Sequence, residues 1–290
     1  MKLGFVGLGA MGRPMLGHLI AAGHELAVWA RRPEAAAEAA RAGAAVCATP
    51  AELAARSEVV FSIVTTGADV IEVAFGGNGL AEGFRRGGVH VDMSTTSPTV
   101  ARELAGRYAG LGVDWLDAPV SGGAAGAQAA TLAIMAGGEA AVLARVQPLL
   151  ATLGSRVVHV GPAGAGQVAK ACNQMVMVSA IEACAEAMRL AAAHGLDVAV
   201  VRQALMGGSA ASRMLEVMGG RMVSRDFSAG VEAWLHHKDF GILLGEAHRL
   251  GVPLPIAAQV WQQLNALMAL GWGQDDTASL LRVLELAGGT

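Results

Sequence analysis

Gly7-Leu8-Gly9-Ala10-Met11-Gly12 has the G-x-G-x-x-G spacing, directly after an apolar run and before a helical stretch. In that context the spacing builds a loop whose backbone N–H groups, with the free N–H groups of a helix start, receive a pyrophosphate. Gly7 permits the tight turn, Gly9 lets the phosphates approach the backbone, and Gly12 lets the helix pack close to the sheet. Leu8, Ala10 and Met11 carry the other amides of the loop. The next apolar run ends Val28-Trp29-Ala30-Arg31-Arg32. A site for NAD normally has a carboxylate there to hold the ribose hydroxyls. Here Ala30 stands in that place, and the two guanidinium groups after it suit a 2′-phosphate through bidentate, charge-assisted bonds. The loop therefore predicts NADPH/NADP as the preferred cofactor, with NADH/NAD as the second choice.

Further along, Lys2, Lys170 and Lys238 are the lysines among 21 basic residues; the others are arginine. An ammonium can release its proton near neutral pH, whereas a guanidinium cannot. The count alone does not separate chemistry from coding bias. Lys170 and Asn173 lie three apart in a stretch with helical spacing, so they share a face. Ser121-Gly122-Gly123 follows an apolar run, where successive N–H groups make an anion-binding concavity and the hydroxyl adds a donor. That suits a carboxylate, and an ordinary glycine-rich turn is the other reading.

These residues need a scaffold. Apolar runs at Leu3–Val6, Leu26–Trp29, Val59–Val64, Val89–Met93, Trp115–Asp117, Leu132–Ala136 and Val157–Val160 read as strands. Alanine-rich segments with helical spacing separate them, among them Arg13–Ala22, Glu34–Ala42 and Thr99–Leu111. Such alternation predicts an α/β fold: an N-terminal Rossmann, doubly wound and mostly parallel sheet with helices on both faces. After the breaker cluster at 161–166 the pattern changes. A long helix is expected over Gln167–His194, closed by Gly195. Helices at Val198–Met206, Ser212–Met222, His237–Leu250, Pro255–Leu270 and Thr277–Leu286 follow, with no strand signal. The expected domains are residues 1–162, binding NAD(P), and an all-α C-terminal domain, residues 163–290, for substrate and oligomerisation.

Composition narrows the partners. Across 290 residues the net charge is −3 and no run of like charge occurs. The basic stripe of a nucleic-acid binder is absent from the sequence. No segment has the roughly 20 apolar residues of a membrane span, since the candidate after Lys170 is broken by Asn173, Gln174 and Glu182. Lys2 and the residues after it run into the glycine turn rather than through a signal-peptide helix to a cleavage site. Cys47, Cys172 and Cys184 fit neither a CxxC pair nor a zinc site and read as reduced, mostly buried thiols of a cytoplasmic protein. The histidines form no metal-ligand pattern, and His236 and His237 point to different helix faces. No metal is expected.

Four further motifs carry a resemblance. They are Asp92-Met93-Ser94-Thr95, Asp117-Ala118-Pro119-Val120-Ser121-Gly122-Gly123, Gly166-Gln167-Val168-Ala169-Lys170-Ala171-Cys172-Asn173-Gln174 and His237-Lys238-Asp239. With the glycine loop, their order and spacing resemble the β-hydroxyacid dehydrogenase family over essentially the whole chain. The resemblance implies reduction of a small carboxylate-bearing aldehyde to a hydroxyacid, and the reverse. Lys170 would be the general acid and Asn173 would position it or the substrate. Ser121, Gly122 and Gly123 would bind the substrate carboxylate. Val64, Thr65 and Thr95 would lie along the nicotinamide half, and Lys238, oriented by Asp239, would reach cofactor or substrate. Physically, an aldehyde oxygen becoming an alkoxide needs a donor that stabilises charge and gives a proton, and an ammonium does both.

Within the family, Ala204–Gly208, Ser212–Val217, Arg221–Phe227 and Leu235–Asp239 resemble the subgroup that reduces tartronate semialdehyde to D-glycerate. Subgroups acting on 3-hydroxyisobutyrate or succinic semialdehyde are the alternatives. Thr65, Val231 and Phe240 depart from the family pattern and put the pocket's shape in doubt. A catalytically silent cofactor-binding module and an imine reductase are competing classes, and the presence of Lys170 speaks against both. The long apolar helix predicts a homodimer or homotetramer.

Overall fold

The computed structural model describes residues 1–287; residues 288–290, the end of the expected helical domain, lie outside the described residues. The chain divides into two compact units, Met1–Lys170 and Ala171–Thr290.

The first unit alternates strands and helices: β1 (Lys2–Val6), α1 (Gly12–Ala21), β2 (Glu25–Trp29), α2 (Pro33–Arg41), β3 (Ala45–Val46), α3 (Pro50–Ala55), β4 (Val59–Ser62), α4 (Gly67–Phe75) and α5 (Leu80–Gly83). It continues with β5 (Val89–Asp92), α6 (Pro98–Leu111), β6 (Asp114–Asp117), β7 (Val120–Ser121), α7 (Gly123–Gln128), β8 (Ala133–Gly138), α8 (Ala140–Leu150), β9 (Arg156–Gly161) and the start of α9 (Ala165–Ala193). Strands β3-β2-β1-β4-β5-β6 lie side by side and parallel. That is the dinucleotide-binding order, whose direction reverses between β1 and β4. Antiparallel β8 follows β6 and also pairs with β7, while β9 runs parallel to β8.

The central strands are mostly apolar because helices cover both faces of the sheet. Leu3, Phe5, Val59, Phe61, Val89 and Val91 are fully buried there. The two-residue strands β3 and β7 are too short to leave a periodic signal, and neither is among the expected strands.

The second unit is helical: the rest of α9, then α10 (Val198–Met206), α11 (Arg213–Ser224), α12 (Ala233–Leu250), α13 (Pro255–Ala269), a 3-10 turn (Thr277–Ser279) and α14 (Leu280–Ala287). Asp197 caps α10 by accepting from Ala199 N–H at 2.8 Å, and Ser212 caps α11 by accepting from Leu215 N–H at 3.1 Å. Such caps satisfy amides that the helix itself cannot. Helix α12 begins at Ala233, earlier than the expected His237. Carbonyls of Asp275 and Gly273 accept from Ala233 and Trp234 N–H and supply the missing partners of its first turn. His236 pairs with Thr277 and His237 with Asn265, each at 2.7 Å, which places them on different faces of α12. Cys47 and Cys184 are buried, whereas Cys172 is exposed.

Glu182, on α9, is the buried group most at odds with its surroundings. It is 4% exposed, and neither carboxylate oxygen has a hydrogen bond among the described residues. Burial, and then the nearby Glu186, push its pKa from 4.5 up to about 7. An acid whose folded pKa is raised costs no stability below its unfolded pKa. The cost grows as pH rises and is complete above the folded pKa. Glu182→Gln is therefore expected to stabilise the protein at pH 8 by roughly 1–3 kcal/mol and to change nothing below about pH 4. Thermal melts at both pH values check this; an equal effect at both would contradict it.

Candidate active site

Gly7 closes β1 with φ +97°, and a Cβ there would meet Ile63 O at 1.9 Å. A Cβ on Gly12 would meet Gly7 O at 1.8 Å. The chain itself forbids side chains at these two positions. Gly9 differs, since an added Cβ would find nothing within 4 Å. The absence of a side chain at Gly9 keeps open a space that the fold does not use. Leu8 turns its side chain into the core at 4% exposure, leaving its backbone at the surface of the loop. Ala10 is exposed, Met11 is half-buried, and α1 starts without a side-chain cap.

The space at Gly9 opens into a cleft of about 220 Å³ at the β1/β4 switch point. Gly7, Leu8, Gly9, Ala30, Arg31, Arg32, Ile63, Val64 and Thr65 line it, together with the carboxylates Asp69 and Glu72. Free amides at a helix start, a glycine whose absent side chain leaves room, and cations in the lining fit a dinucleotide. Arg31 is mostly exposed and forms an ion pair with Asp69 at 3.2 Å. Asp69 also completes the capping box of α4 with Thr66, whose hydroxyl bond is the main reason its pKa lies below the ordinary carboxylate value. The Thr66-x-x-Asp69 spacing announces a helix start, but nothing local in the sequence brings this acidic neighbour to Arg31.

Behind the cleft lies a buried polar chain that sequence reasoning missed. Asp92 Oδ1 accepts from Ser62 Oγ at 2.7 Å and from Ser94 Oγ at 2.6 Å. Ser94 Oγ in turn accepts from Val64 N–H at 2.8 Å, which ties the cleft wall to the end of β5. Ser62 donates its one proton to Asp92, so His90 Nε2–H must donate to Ser62 Oγ, 2.8 Å away. His90 Nδ1 is then the acceptor for Tyr108 O–H, at 2.9 Å. A single direction of donation thus runs from Tyr108 to Asp92. Burial holds His90 neutral, with a pKa of about 3, and pushes Asp92 up to about 6 against the pull of its serine bonds.

Ser121 ends β7 half-buried, and Gly122 and Gly123 follow at φ +135° and +62°, values that only glycine adopts easily. Thr95 is half-buried between Ser94 and Thr96. Lys170 closes the first unit and is 7% exposed. Asn173 follows one turn later on α9. In the helical unit Asn173 Nδ2 donates to Gln174 Oε1 at 2.9 Å, and Gln174 Nε2 donates to Asp239 Oδ2 at 2.6 Å. Lys238 forms an ion pair with the other oxygen of Asp239 at 3.2 Å. Within the first unit, Gly7, Leu8, Gly9, Arg31, Arg32, Val64 and Thr65 are brought to one cleft. Ala10, Met11, Gly12 and Thr95 are not among the residues lining it.

Comparison with known proteins gives a consistent picture. Residues 2–161 match the family model for the NAD binding domain of 6-phosphogluconate dehydrogenase. Residues 164–284 match the model for the NAD-binding region of NADP-dependent 3-hydroxyisobutyrate dehydrogenase. The chain is 43% identical over 286 residues to 2-hydroxy-3-oxopropionate reductase of Escherichia coli (strain K12), covering 99% of this chain and 98% of that one. It is 32% identical to the mitochondrial 3-hydroxyisobutyrate dehydrogenase of Pongo abelii, covering 97% and 86%. The structure of Mycobacterium tuberculosis 3-hydroxyisobutyrate dehydrogenase with L-serine matches with a TM-score of 0.91 at 32% identity, over 98% of this chain and 99% of that one.

Proposed function

Because the chain belongs to the 3-hydroxyisobutyrate dehydrogenase-like family of β-hydroxyacid dehydrogenases, oxidoreductases that use a nicotinamide cofactor, we propose that it reduces tartronate semialdehyde to D-glycerate, and catalyses the reverse, with NADPH preferred. The observation that carries this reading is Lys170, a lysine held at 7% exposure in a chain whose basic residues are mostly arginine. Lysine is among the residues least often buried. When bound, the nicotinamide supplies the hydride that turns the aldehyde oxygen into an alkoxide. The Lys170 ammonium gives its proton to that oxygen and recovers one from solvent. Asn173, one turn along the same helix, fixes the lysine or the substrate through its amide. Ser121 Oγ and the amides of Gly122 and Gly123 take the substrate carboxylate. Thr95, Val64, Thr65 and Lys238 are assigned to the cofactor.

Three observations support NADPH over NADH: Ala30 offers no carboxylate to the ribose, and Arg31 and Arg32 both line the cleft. A 2′-phosphate would compete with Asp69 for Arg31. We also read the protein as a cytoplasmic homodimer or homotetramer. Val176 and Leu190 of α9, 66% and 64% exposed, and Ile256 of α13 at 67% support a second copy as the cover for these helices. No described helix is long and apolar enough to cross a membrane.

The test is kcat/KM for tartronate, methylmalonate and succinic semialdehydes, each with NADPH and with NADH. The expected result is the highest value for tartronate semialdehyde with NADPH. A highest value for methylmalonate semialdehyde would move the protein to the 3-hydroxyisobutyrate reading with the Lys170 chemistry intact. Bound NADPH without turnover of any aldehyde would make it a silent module.

A further inference from the structure

We propose that Asp117 and Gln167 are positioning residues that fix the start of α9, and with it Lys170, against the backbone turn at Ser94–Thr96; this rests on the reading of Lys170 as the acid. A helix start leaves amides without intrahelical partners. The segment leading into α9 is Gly161-Pro162-Ala163-Gly164-Ala165-Gly166, which has no side chain able to cap it. The acceptor comes instead from the end of β6. Asp117 Oδ1 accepts from Gly164 N–H at 2.7 Å and Oδ2 from Gln167 N–H at 3.0 Å. Asp117 is fully buried, so these bonds replace all its water. Such charge-assisted bonds are about twice as strong as neutral ones, and a negative charge also suits the positive end of the helix dipole.

The chain makes room for this carboxylate. A Cβ on Gly137 would lie 2.7 Å from both Asp117 Oδ1 and Gly166 N. A Cβ on Gly166 would lie 2.3 Å from Met135 O and 2.8 Å from Asp117 Oδ2. Both glycines are therefore set by the clamp.

Gln167 supplies the second half. Its Nε2 donates to Ser94 O at 2.8 Å, and its Oε1 accepts from Thr96 N–H at 3.0 Å. The side-chain amide thus behaves like a peptide unit inserted into the turn. Ser94 is the residue that Asp92 holds and that receives Val64 N–H from the cleft wall. Asp92 and Asp117 are partners in register on adjacent strands β5 and β6. Lys170 follows Gln167 by three residues, on the same helix face. One continuous set of buried bonds therefore runs from the cleft wall through Ser94 and Gln167 to the helix turn that carries the lysine.

Asp117→Asn keeps the shape of the side chain but turns one acceptor into a donor that faces an N–H. Gln167→Met removes only the two bonds to the turn. Both are measured beside Lys170→Ala and Leu150→Ala, the last a cavity in the α8 core that destabilises the same unit away from the clamp. The readouts are NADPH Kd by fluorescence, kcat and KM for the aldehyde, and hydrogen exchange over residues 162–170. Asp117→Asn and Gln167→Met are expected to lower kcat by about 10–100-fold, as expected when a reacting group is misplaced by about 1 Å. NADPH Kd should stay within about threefold, a change below the 1.4 kcal/mol of a tenfold shift, and exchange over 162–170 should rise. Leu150→Ala should lose thermal stability and keep kcat. If Asp117→Asn does not fold, Gln167→Met carries the test alone. Native kcat in Gln167→Met and Asp117→Asn, beside an impaired Lys170→Ala, would overturn the clamp and leave the acid in place. Native turnover in Lys170→Ala would overturn the acid itself, whatever exchange shows at 162–170.

Discussion

Lys170→Ala is expected to lower kcat by about 10²–10⁴-fold, the usual worth of general acid help, with NADPH affinity nearly unchanged. Lys170 is 7% exposed, so the ammonium has little bulk water around it, and its charge acts on a developing alkoxide more strongly than it would in solvent. Alanine leaves the glycine loop and its cleft untouched, because these are built from β1, β4 and the start of α1. The loss should therefore fall on kcat rather than on cofactor Kd, the pattern of an interaction made in the transition state. Lys170→Arg should be nearly as poor, since a guanidinium keeps the charge but holds its proton. Steady-state kinetics with fluorescence titration of NADPH checks this. Near-native turnover in Lys170→Ala would contradict the assigned role.

Gly9→Val is expected to keep the fold and weaken NADPH by at least about 100-fold, or ~2.7 kcal/mol. A Cβ at Gly9 meets nothing of the protein within 4 Å, so the variant should melt close to the parent. What it fills is the space where the phosphates would approach the backbone. Gly12→Ala should do the reverse. Its methyl would sit 1.8 Å from Gly7 O, which forces the helix off the sheet and costs stability before any ligand is added. Melting curves and NADPH titrations of the two variants separate these outcomes. A Gly9→Val protein that binds NADPH normally would remove the loop from the cofactor site.

The separate duties of Gly7, Gly9 and Gly12 were legible because a glycine loop between strand and helix has few physical solutions. The mostly parallel, doubly wound sheet followed from alternation, and the helical second unit from the loss of strand signal after Gly161. The groups that hold the site were harder to read. Asp92 and Asp117 open two motifs that carry the family resemblance, yet their roles depend on burial and on bonds to Ser62, Gly164 and Gln167, residues remote in sequence or in motif, as well as on the nearby Ser94. A carboxylate ending a strand, as in Val89-His90-Val91-Asp92 and Asp114-Trp115-Leu116-Asp117, is the local signal that could have marked them, because a buried charge must be satisfied. Gly137 carries no signal at all, since its demand arises only when Asp117 and Gly166 meet beside it. Arg31 suits a 2′-phosphate by its chemistry, but its pairing with Asp69 depends on the tertiary placement of α4 beside the end of β2.

The most direct test of the central claim is to follow the hydrogen. The purified protein is given NADPH deuterated at the transferring position of C4, together with tartronate semialdehyde, and the product is analysed by mass spectrometry. The account predicts glycerate carrying one deuterium on its terminal carbon, formed as NADPH is consumed. Unlabelled glycerate, or no glycerate while NADPH remains bound, would contradict it.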